Sequence, residues 1–291
     1  MREWLNENTL FNTVAMYASE SRALVLVVEG DDDYFVLSRH RSADLHMLAG
    51  VGGRENVLRA AHLARARGLG EQVRFLVDRD LDAFVPGRVL EWPNVFVSDA
   101  HDLFMDLLIA QNSLVHLVID SHSRGQRRGA KQKKRPPAPE ASLILGDAIN
   151  LAVLLSAVRI TNERNGLGLN FDRFPFGNLK KSDFRVEALA DIVTARSSYA
   201  GDRGAVLADS LAALEEVKHR PYEVVGDHDF FRALARTLKT HDISVSHETL
   251  LTSFIAGVSC AVVSATRCFA RIESWCSKHG RVALDCTADR T

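Results

Sequence analysis

The strongest constraint on the fold is an unbroken apolar run, Ala23 to Val28 (ALVLVV), which ends at Glu29-Gly30. Its valines are β-branched and favour a strand, and the lack of alternation between apolar and polar residues indicates that both faces of this strand are buried. Such strands are typical of parallel sheets, which are covered by helices on both sides. The run therefore predicts an α/β fold.

Strand-like and helix-like segments alternate after this run. We predict short strands over residues 45–48, 73–77 and 95–97, and helices over 31–39 and 55–67. Neighbouring parallel strands require right-handed helical crossovers, and this order of segments supplies them. The first part of the chain is therefore predicted to form a Rossmann-like parallel sheet flanked by helices.

The composition changes abruptly after residue 122. Residues 123–140 are rich in basic residues and proline, which indicates a loop or tether. Beyond it the sequence has helical patterns over 144–158, 183–195, 207–217, 229–238 and 248–270. We therefore predict an α/β domain over 1–122, a basic, proline-rich loop over 123–140, and a mostly α-helical domain over 141–291 that makes dimer or partner contacts.

The charge of the chain is nearly balanced, with 36 Lys and Arg residues against 37 Asp and Glu residues. Seven of the basic residues lie between Arg124 and Arg135, and without them 29 basic residues stand against 37 acidic ones. The balanced total therefore does not exclude a nucleic-acid partner, because the positive charge is concentrated in one segment that can bind a phosphate backbone. A solvated loop is the alternative, since blocks of like charge usually have that structure.

Acidic residues follow three of the predicted strands. Glu29 ends the first strand, Asp78-Arg79-Asp80 follows the third, and Asp99 follows the fourth. The carboxyl ends of parallel strands form the edge where α/β proteins bind ligands. Carboxylates gathered there repel one another unless a cation lies between them, and hard oxygen ligands select Mg²⁺ or Mn²⁺. Each motif alone has a simpler explanation, since Asp31 and Asp32, for example, can cap a helix.

The combination of a strand ending in Glu-Gly with a later strand ending in Asp-x-Asp resembles the Toprim domain of topoisomerases, primases and OLD-family nucleases. The segments VVEGDDDYFVL, GGRENV, VDRDLD and NVFVSDAHDLFMDLL, followed by Gly-Asp-His-Asp at Gly226 to Asp229, are similar to the nuclease effector subunit of PARIS-type anti-phage defence systems. The resemblance implies a Toprim fold of the OLD-like group and a Mg²⁺- or Mn²⁺-dependent endonuclease. It further implies a toxic effector that cuts RNA, with tRNA as the expected substrate.

The same resemblance implies partners for the chain. In the PARIS-type systems an ATPase of the ABC class holds the Toprim effector, which dimerises when it is released. We therefore expect an ABC-type ATPase subunit, an RNA substrate and a second copy of this chain as partners, and no membrane.

Carried onto this sequence, the resemblance makes Glu29 a metal ligand or general base, and makes Asp33, Asp78 and Asp80 metal ligands. One position departs from the family pattern, because related sequences tend to carry a glutamate where this chain has Phe104. A carboxylate two positions away on a helix points about 200° around the axis from that site. With this reservation, the further candidate metal ligands are Asp82, Asp102 and Asp106.

Basic residues in three places are candidates for binding nucleic acid. One residue begins the helix after the glycine-rich segment at 50–53, and seven lie in the basic segment. Two more follow the Phe-Pro-Phe-Gly sequence at 174–177, and these two are candidates to stabilise charge in a transition state. The alternative in each place is an ordinary solvated surface. The candidates are Arg54, Arg124, Arg127, Arg128, Lys131, Lys133, Lys134, Arg135, Lys180 and Lys181.

The N-terminal sequence lacks the features of a secretory signal, and no uncharged apolar run reaches the roughly 18 residues needed to cross a bilayer. We therefore expect a cytoplasmic, bacterial protein. Cys260, Cys268, Cys276 and Cys286 are spaced by eight, eight and ten positions, unlike the CxxC pairs of zinc sites. We expect four reduced thiols, and a metal site that includes His279 is the alternative.

Two functions from different classes fit these observations. The first is a metal-dependent Toprim endonuclease, an RNase cutting tRNA, that acts as the effector of an ATPase-coupled defence system. The alternative is a catalytically weakened Toprim-like subunit that binds an ABC-type ATPase without cleaving nucleic acid. Phe104 is the feature that favours the alternative.

Overall fold

The computed structural model describes residues 7–20, 23–88, 92–129 and 140–286. The chain divides into two compact units. The sheet unit consists of Met1–Arg79, Val89–Ala110 and Val258–Thr291, and the helical unit consists of Asp80–Arg88 and Gln111–Gly257. This division differs from the sequence-based boundaries, because the last part of the chain joins the sheet unit rather than the helices that precede it.

The sheet unit is built on four parallel strands, β1 (Leu24–Val28), β2 (Leu45–Ala49), β3 (Val73–Val77) and β4 (Val95–Val97). Their spatial order is β2-β1-β3-β4, so β1 and β3 are the central pair. All five residues of β1 are buried, as expected for a central strand covered on both faces. The predicted α/β class with a parallel sheet is confirmed.

Four helices of this unit are α1 (Glu7–Glu20), α2 (Asp31–Ser38), α3 (Gly53–Ala66) and α4 (Leu103–Ala110). Helix α1, which was not predicted from the sequence, packs on α3 and buries Leu10 and Val14 in the core formed with β1 and β3. At Gly50, which follows β2, an added Cβ atom would lie 2.5 Å from Val57 Cγ2 and 2.8 Å from the carbonyl oxygen of Glu29. Only glycine therefore lets α3 pack this close to the end of β1.

The helical unit contains α5 (Asn112–Gly129), α6 (Ala141–Asn165), α7 (Val186–Arg196), α8 (Arg203–Val217), α9 (Asp227–Thr240) and α10 (His247–Gly257). Helix α6 packs against α7, α8 and α9 and forms the centre of this unit. It is long and apolar enough to cross a membrane, and 67% of its most apolar window is buried inside the protein. It is the only single helix of that kind among the described residues, and its burial is that of a core helix.

The basic segment starts as a helix rather than as a loop. Helix α5 continues to Gly129, so the predicted loop over 123–140 is corrected for its first seven residues. Serine, glycine and arginine in this stretch do not prevent helix formation, since a helix that has already started is extended at low cost. Residues 130–139 lie outside the described part of the chain.

The predicted helix over 248–270 is wrong, because the structure has three helices there: α10, α11 (Cys260–Ser264) and α12 (Arg267–Lys278). Helix α10 ends at Gly257, and Thr266 caps α12 by accepting a hydrogen bond from the Phe269 N–H at 3.2 Å. Threonine in this role stops one helix and starts the next. Helix α12 then packs on β4, and its Trp275 indole N–H donates to the Glu71 carbonyl.

The C-terminal segment, residues 281–285, lies along residues 40–44 of the sheet unit. Ser42 N–H donates to the Ala283 carbonyl at 2.9 Å, and Asp285 N–H donates to the His40 carbonyl at 2.8 Å. Arg281 also forms an ion pair with Asp44 at 3.1 Å. The segment is thus held by backbone hydrogen bonds and one ion pair, and its Ala283 side chain is buried.

The expectation of four reduced thiols is wrong for two cysteines, because Cys260 and Cys286 form a disulfide between α11 and the end of the C-terminal segment. Cys268 and Cys276 are free and buried. Burial raises the pKa of each of these two thiols to about 12, so both stay protonated and unreactive.

Candidate functional site

The carboxyl ends of β1 and β3 bring together the first two predicted acids. Glu29 follows β1, and its Oε2 atom accepts a hydrogen bond from the Asp78 N–H at 3.1 Å. Because β1 and β3 are neighbours in the parallel sheet, residues 49 positions apart in sequence meet at one edge. We call Glu29, Asp33 and Asp78 the acidic edge.

Asp33 belongs to the acidic edge through the first turn of α2. Its Oδ2 atom accepts a hydrogen bond from the Gly30 N–H at 3.0 Å, and the side chain is buried. Asp31 and Asp32 precede it and are exposed. Three acids in the first turn are favourable at a helix N-terminus, so this sequence supports α2 as well as the acidic edge.

The start of α4 holds the carboxylate of Asp78. Its Oδ1 atom accepts a hydrogen bond from the Leu103 N–H at 3.2 Å. Each carboxylate of the acidic edge is therefore oriented by a backbone N–H group. An ionised carboxylate has about four lone-pair positions on its two oxygens, so accepting one N–H bond does not by itself prevent it from binding a cation.

The acidic edge fits a hard divalent cation in the chemistry of its donors, because Mg²⁺ and Mn²⁺ prefer carboxylate oxygens. In the residues that the structure describes, no group of three or more His, Cys, Asp or Glu side chains is arranged closely enough to hold a metal ion. Glu29, Asp33 and Asp78 would therefore have to change side-chain rotamers to bind one together.

Asp102 and Asp106, two of the further candidate ligands, orient backbone instead. Asp102 Oδ1 accepts a hydrogen bond from the Met105 N–H at 2.8 Å, as a cap of α4. Asp106 accepts from the Asp99 N–H at 3.0 Å and from the Ala100 N–H at 2.7 Å. Burial raises the pKa of Asp106 to about 6, although the two N–H bonds oppose that shift. Both carboxylates thus fix the loop between β4 and α4.

Asp80 and Asp82 lie in the segment Asp80–Arg88, which belongs to the helical unit. Asp80 has a left-handed backbone, with φ of 51°, and Asp82 is buried. Phe104 is buried in α4 with its apolar neighbours.

An arginine that the sequence analysis did not single out lies at the end of β4. Arg271 of α12 donates to Asp99 Oδ1 at 2.8 Å and to the Val97 carbonyl. The other oxygen, Asp99 Oδ2, is buried and accepts no hydrogen bond within the described residues. Because Arg271 is 172 positions from Asp99, no local sequence pattern could have indicated this pair.

The basic candidates are spread over both units. Arg54 is half-buried in the first turn of α3, whereas Lys180 and Lys181 are exposed in the helical unit. Arg124 is exposed on α5 with an ion pair to Asp120 at 3.9 Å. Arg127 and Arg128 also belong to α5, but the structure does not describe their side chains. The other four candidates lie outside the described residues: Lys131, Lys133, Lys134 and Arg135.

Comparisons with known proteins do not assign this chain to a family. No protein-family model matches it, and no curated protein sequence matches it.

Proposed function

We propose that the chain is a Mg²⁺- or Mn²⁺-dependent endonuclease with a Toprim-type sheet unit. The observation that supports this most directly is the contact between Glu29 Oε2 and the Asp78 N–H, which joins the Glu-Gly and Asp-x-Asp motifs at one edge of the parallel sheet. Two motifs that only together resemble a nuclease thus meet where α/β proteins bind ligands.

The residues of the chain have separate roles in this proposal. Glu29, Asp33 and Asp78 would hold the cation. A bound divalent cation supplies Lewis-acid stabilisation of the phosphate oxygens and lowers the pKa of a coordinated water. The Gly30 and Leu103 N–H groups bind the carboxylates of Asp33 and Asp78, and these side chains would rotate to meet the cation together with Glu29.

The proposed substrate is RNA, and the expected RNA is tRNA. The basic residues of α5 are proposed to bind its phosphates. We further propose that an ABC-type ATPase holds the protein inactive and that the protein forms a homodimer on activation. Its proposed role is that of a defence effector in the bacterial cytoplasm. These parts depend on the motif resemblance, whereas the acidic edge also has the support of geometry.

The decisive experiment incubates the full chain with bulk tRNA in Mg²⁺ or Mn²⁺. We expect cleavage that EDTA abolishes and that Glu29→Gln lowers by at least about 100-fold. The matched control is Glu71→Gln, at an exposed glutamate ahead of β3 and therefore at the opposite end of that strand. Cleavage that survives in Glu29→Gln, or that falls equally in both variants, would overturn the role of Glu29.

A second candidate function is supported by Phe104. Its burial among apolar residues places no ligand at the position where related sequences carry a glutamate. The chain would then be a Toprim-like subunit that binds an ABC-type ATPase without cleaving nucleic acid. This candidate predicts a stable complex with such an ATPase, and no cleavage of tRNA by the released chain in either metal.

A further inference from the structure

A row of basic residues lies along one side of α9 in the helical unit. Arg232, Arg236 and Lys239 follow one another at spacings of four and three positions, which places them on one side of a helix. The opposite side contains Leu234 and Leu238, which are completely buried. Arg232 and Arg236 are partly exposed, and Lys239 is exposed. The helix therefore packs through its apolar side and directs three positive charges away from the core.

A loop that packs on α9 adds further basic residues to the same side. The Arg236 Nε atom donates a hydrogen bond to the Leu179 carbonyl oxygen at 2.6 Å, and the guanidinium lies 5.6 Å from the centre of the Phe184 ring. Because Arg236 contacts both residues, the chain between them and directly after them lies beside this arginine. The exposed basic residues of this stretch and those of α9 together are called the basic face: Lys180, Lys181, Arg185, Arg232, Arg236 and Lys239.

The charges of the basic face are not neutralised by ion pairs. Among the described residues, none of its six members forms an ion pair with a carboxylate, whereas other arginines of the helical unit do. Arg159 and Arg164, for example, bind Asp229 and Glu216, each at 2.8 Å. The basic face therefore differs from the rest of the unit in keeping its positive charges available to a partner.

Two acids lie close to the basic face, and each has another partner. Asp183 accepts hydrogen bonds from the Lys180 N–H at 2.7 Å and from the Ser182 hydroxyl at 3.2 Å. Glu248, which interacts electrostatically with Arg232, lies 3.3 Å from His247. The six cations of the face outnumber these two carboxylates, so the surface remains positive.

The basic face has no exposed apolar centre. Among the described residues of the helical unit, the large apolar side chains that are exposed are Leu117, Leu143 and Leu211, and none of them lies on α9 or between residues 179 and 185. Protein interfaces usually have an apolar or aromatic core, and a helix that binds a membrane surface inserts apolar side chains. A phosphate backbone, in contrast, is bound mainly by the charges of Lys and Arg. The composition of the face therefore fits a nucleic-acid backbone better than a protein or a membrane.

We propose that the basic face is a binding site for the phosphate backbone of the RNA substrate. The choice of RNA rests on the proposed function, to which the face adds a binding site within the helical unit. Arg236 is suited to this role because the Leu179 carbonyl takes only one of the five N–H donors of its guanidinium and brings no negative formal charge. Contacts to phosphates carry no sequence information, so binding at this face depends strongly on salt and little on base sequence.

The test measures binding of fluorescently labelled bulk tRNA to the full chain in EDTA, which removes the cation that cleavage requires. Lys180, Lys181 and Lys239 are replaced together by glutamine, because all three are exposed and substitution should leave the fold intact. Binding is expected to weaken by at least about 10-fold at low salt. The slope of log Kd against log salt concentration is expected to fall by about 2 to 3, since each lost phosphate contact contributes about 0.7–0.9. Replacing the same three residues with arginine should preserve both values.

The matched control removes the same charge from the same unit at three residues that already have acidic partners. Arg88, Lys218 and Arg220 are exposed and form ion pairs with glutamates, and all three are replaced together by glutamine. The affinity for tRNA and its salt slope should change much less than in the lysine variant. An equal loss in both variants would show that only the total charge matters, which overturns the inference.

The remaining outcomes separate this inference from the proposed function. If the unmodified chain cleaves tRNA in Mg²⁺ but the lysine variant binds it as tightly as the parent, the basic face is not an RNA site and the nuclease remains. If the unmodified chain binds polyglutamate but not tRNA, the face takes an acidic protein and the inference is overturned. If tRNA binding depends on the face but neither metal supports cleavage, the RNA site remains and the proposed nuclease is wrong.

Discussion

Asp229 of the helical unit and the acidic edge of the sheet unit hold their carboxylates through different kinds of partner. In the helical unit, Asp229 is buried and bound in bidentate fashion by Arg159, at 2.8 and 3.2 Å, and the same guanidinium lies 4.5 Å from the centre of the Phe171 ring. In the sheet unit, the carboxylates of the acidic edge accept backbone N–H groups. Pairing with arginine neutralises Asp229, whereas a backbone N–H group orients a carboxylate without bringing a formal positive charge. Asp229 thus joins two helices, whereas the acidic edge is the proposed cation site.

The largest expected effect concerns the Arg159–Asp229 pair. Arg159→Ala leaves a buried charge without its partner and should destabilise the helical unit by about 3–5 kcal/mol. Urea unfolding followed by circular dichroism measures this change. Lys218→Ala, which breaks the exposed pair with Glu215, is the control and should cost less than about 1 kcal/mol. Equal effects of the two substitutions would remove the structural role assigned to Asp229.

The next effect concerns the disulfide of the sheet unit. Cys260 and Cys286 are 26 positions apart, and closing a loop of that length stabilises a fold by about 3 kcal/mol in the chain-entropy model. Dithiothreitol should therefore lower the denaturant midpoint of the sheet unit. The Cys286→Ser variant is the control, because the reagent should not lower its midpoint further. An unchanged midpoint for the unmodified chain would show that the disulfide adds nothing to the other contacts that hold the C-terminal segment.

A smaller effect follows from the pKa of Asp106. The folded state raises that pKa from 3.8 to about 6, so the folded chain binds the proton more tightly than the unfolded chain. The resulting stability is complete below about pH 4 and is lost as the pH rises through 6, a change of up to about 3 kcal/mol. Urea unfolding at several pH values measures it. Asp106→Asn cannot titrate and should show a shallower fall between pH 4 and 7; a slope equal to that of the parent would contradict the assignment.

The smallest expected effect compares helix caps in the two units. Asp202 accepts hydrogen bonds from the Gly204 and Ala205 N–H groups at the start of α8, and Thr266 accepts one from Phe269 at the start of α12. Replacing either cap with alanine should cost about 1 kcal/mol. Thermal unfolding of the two single variants checks this expectation. A loss several times larger for Thr266→Ala would mean that this residue, which is buried, also determines how the chain turns between α11 and α12.

The sequence was informative where local pattern decides structure. The bounds of β1, β3 and β4 could be predicted to within one residue, because apolar runs of this length bounded by polar residues have few alternatives. The contact between Glu29 and Asp78 followed from the same reasoning, since parallel neighbours end at one edge. The helix over 248–270 was wrong because side-chain capping at Thr266 competes with a continuous apolar pattern.

Other features depend on contacts that no local pattern contains. Arg271 reaches Asp99 across the sheet unit, and Arg159 reaches Asp229 across two helices. The orienting role of Asp106 requires the loop after β4 to fold back onto it. Such pairings are selected by the packed structure, and a single sequence gives no information about which of many charged residues will meet.

The discontinuity of the sheet unit has a consequence for the order in which the protein can mature during translation. The residues that form the helical unit leave the ribosome before residues 258–286. These later residues supply α12 with its Arg271, and both cysteines of the disulfide, Cys260 and Cys286. Domains generally fold as units as they emerge, so the helices can fold first while the sheet unit still lacks its last piece. The Arg271–Asp99 contact and the packing of α12 on β4 therefore form only after the helical unit has been synthesised.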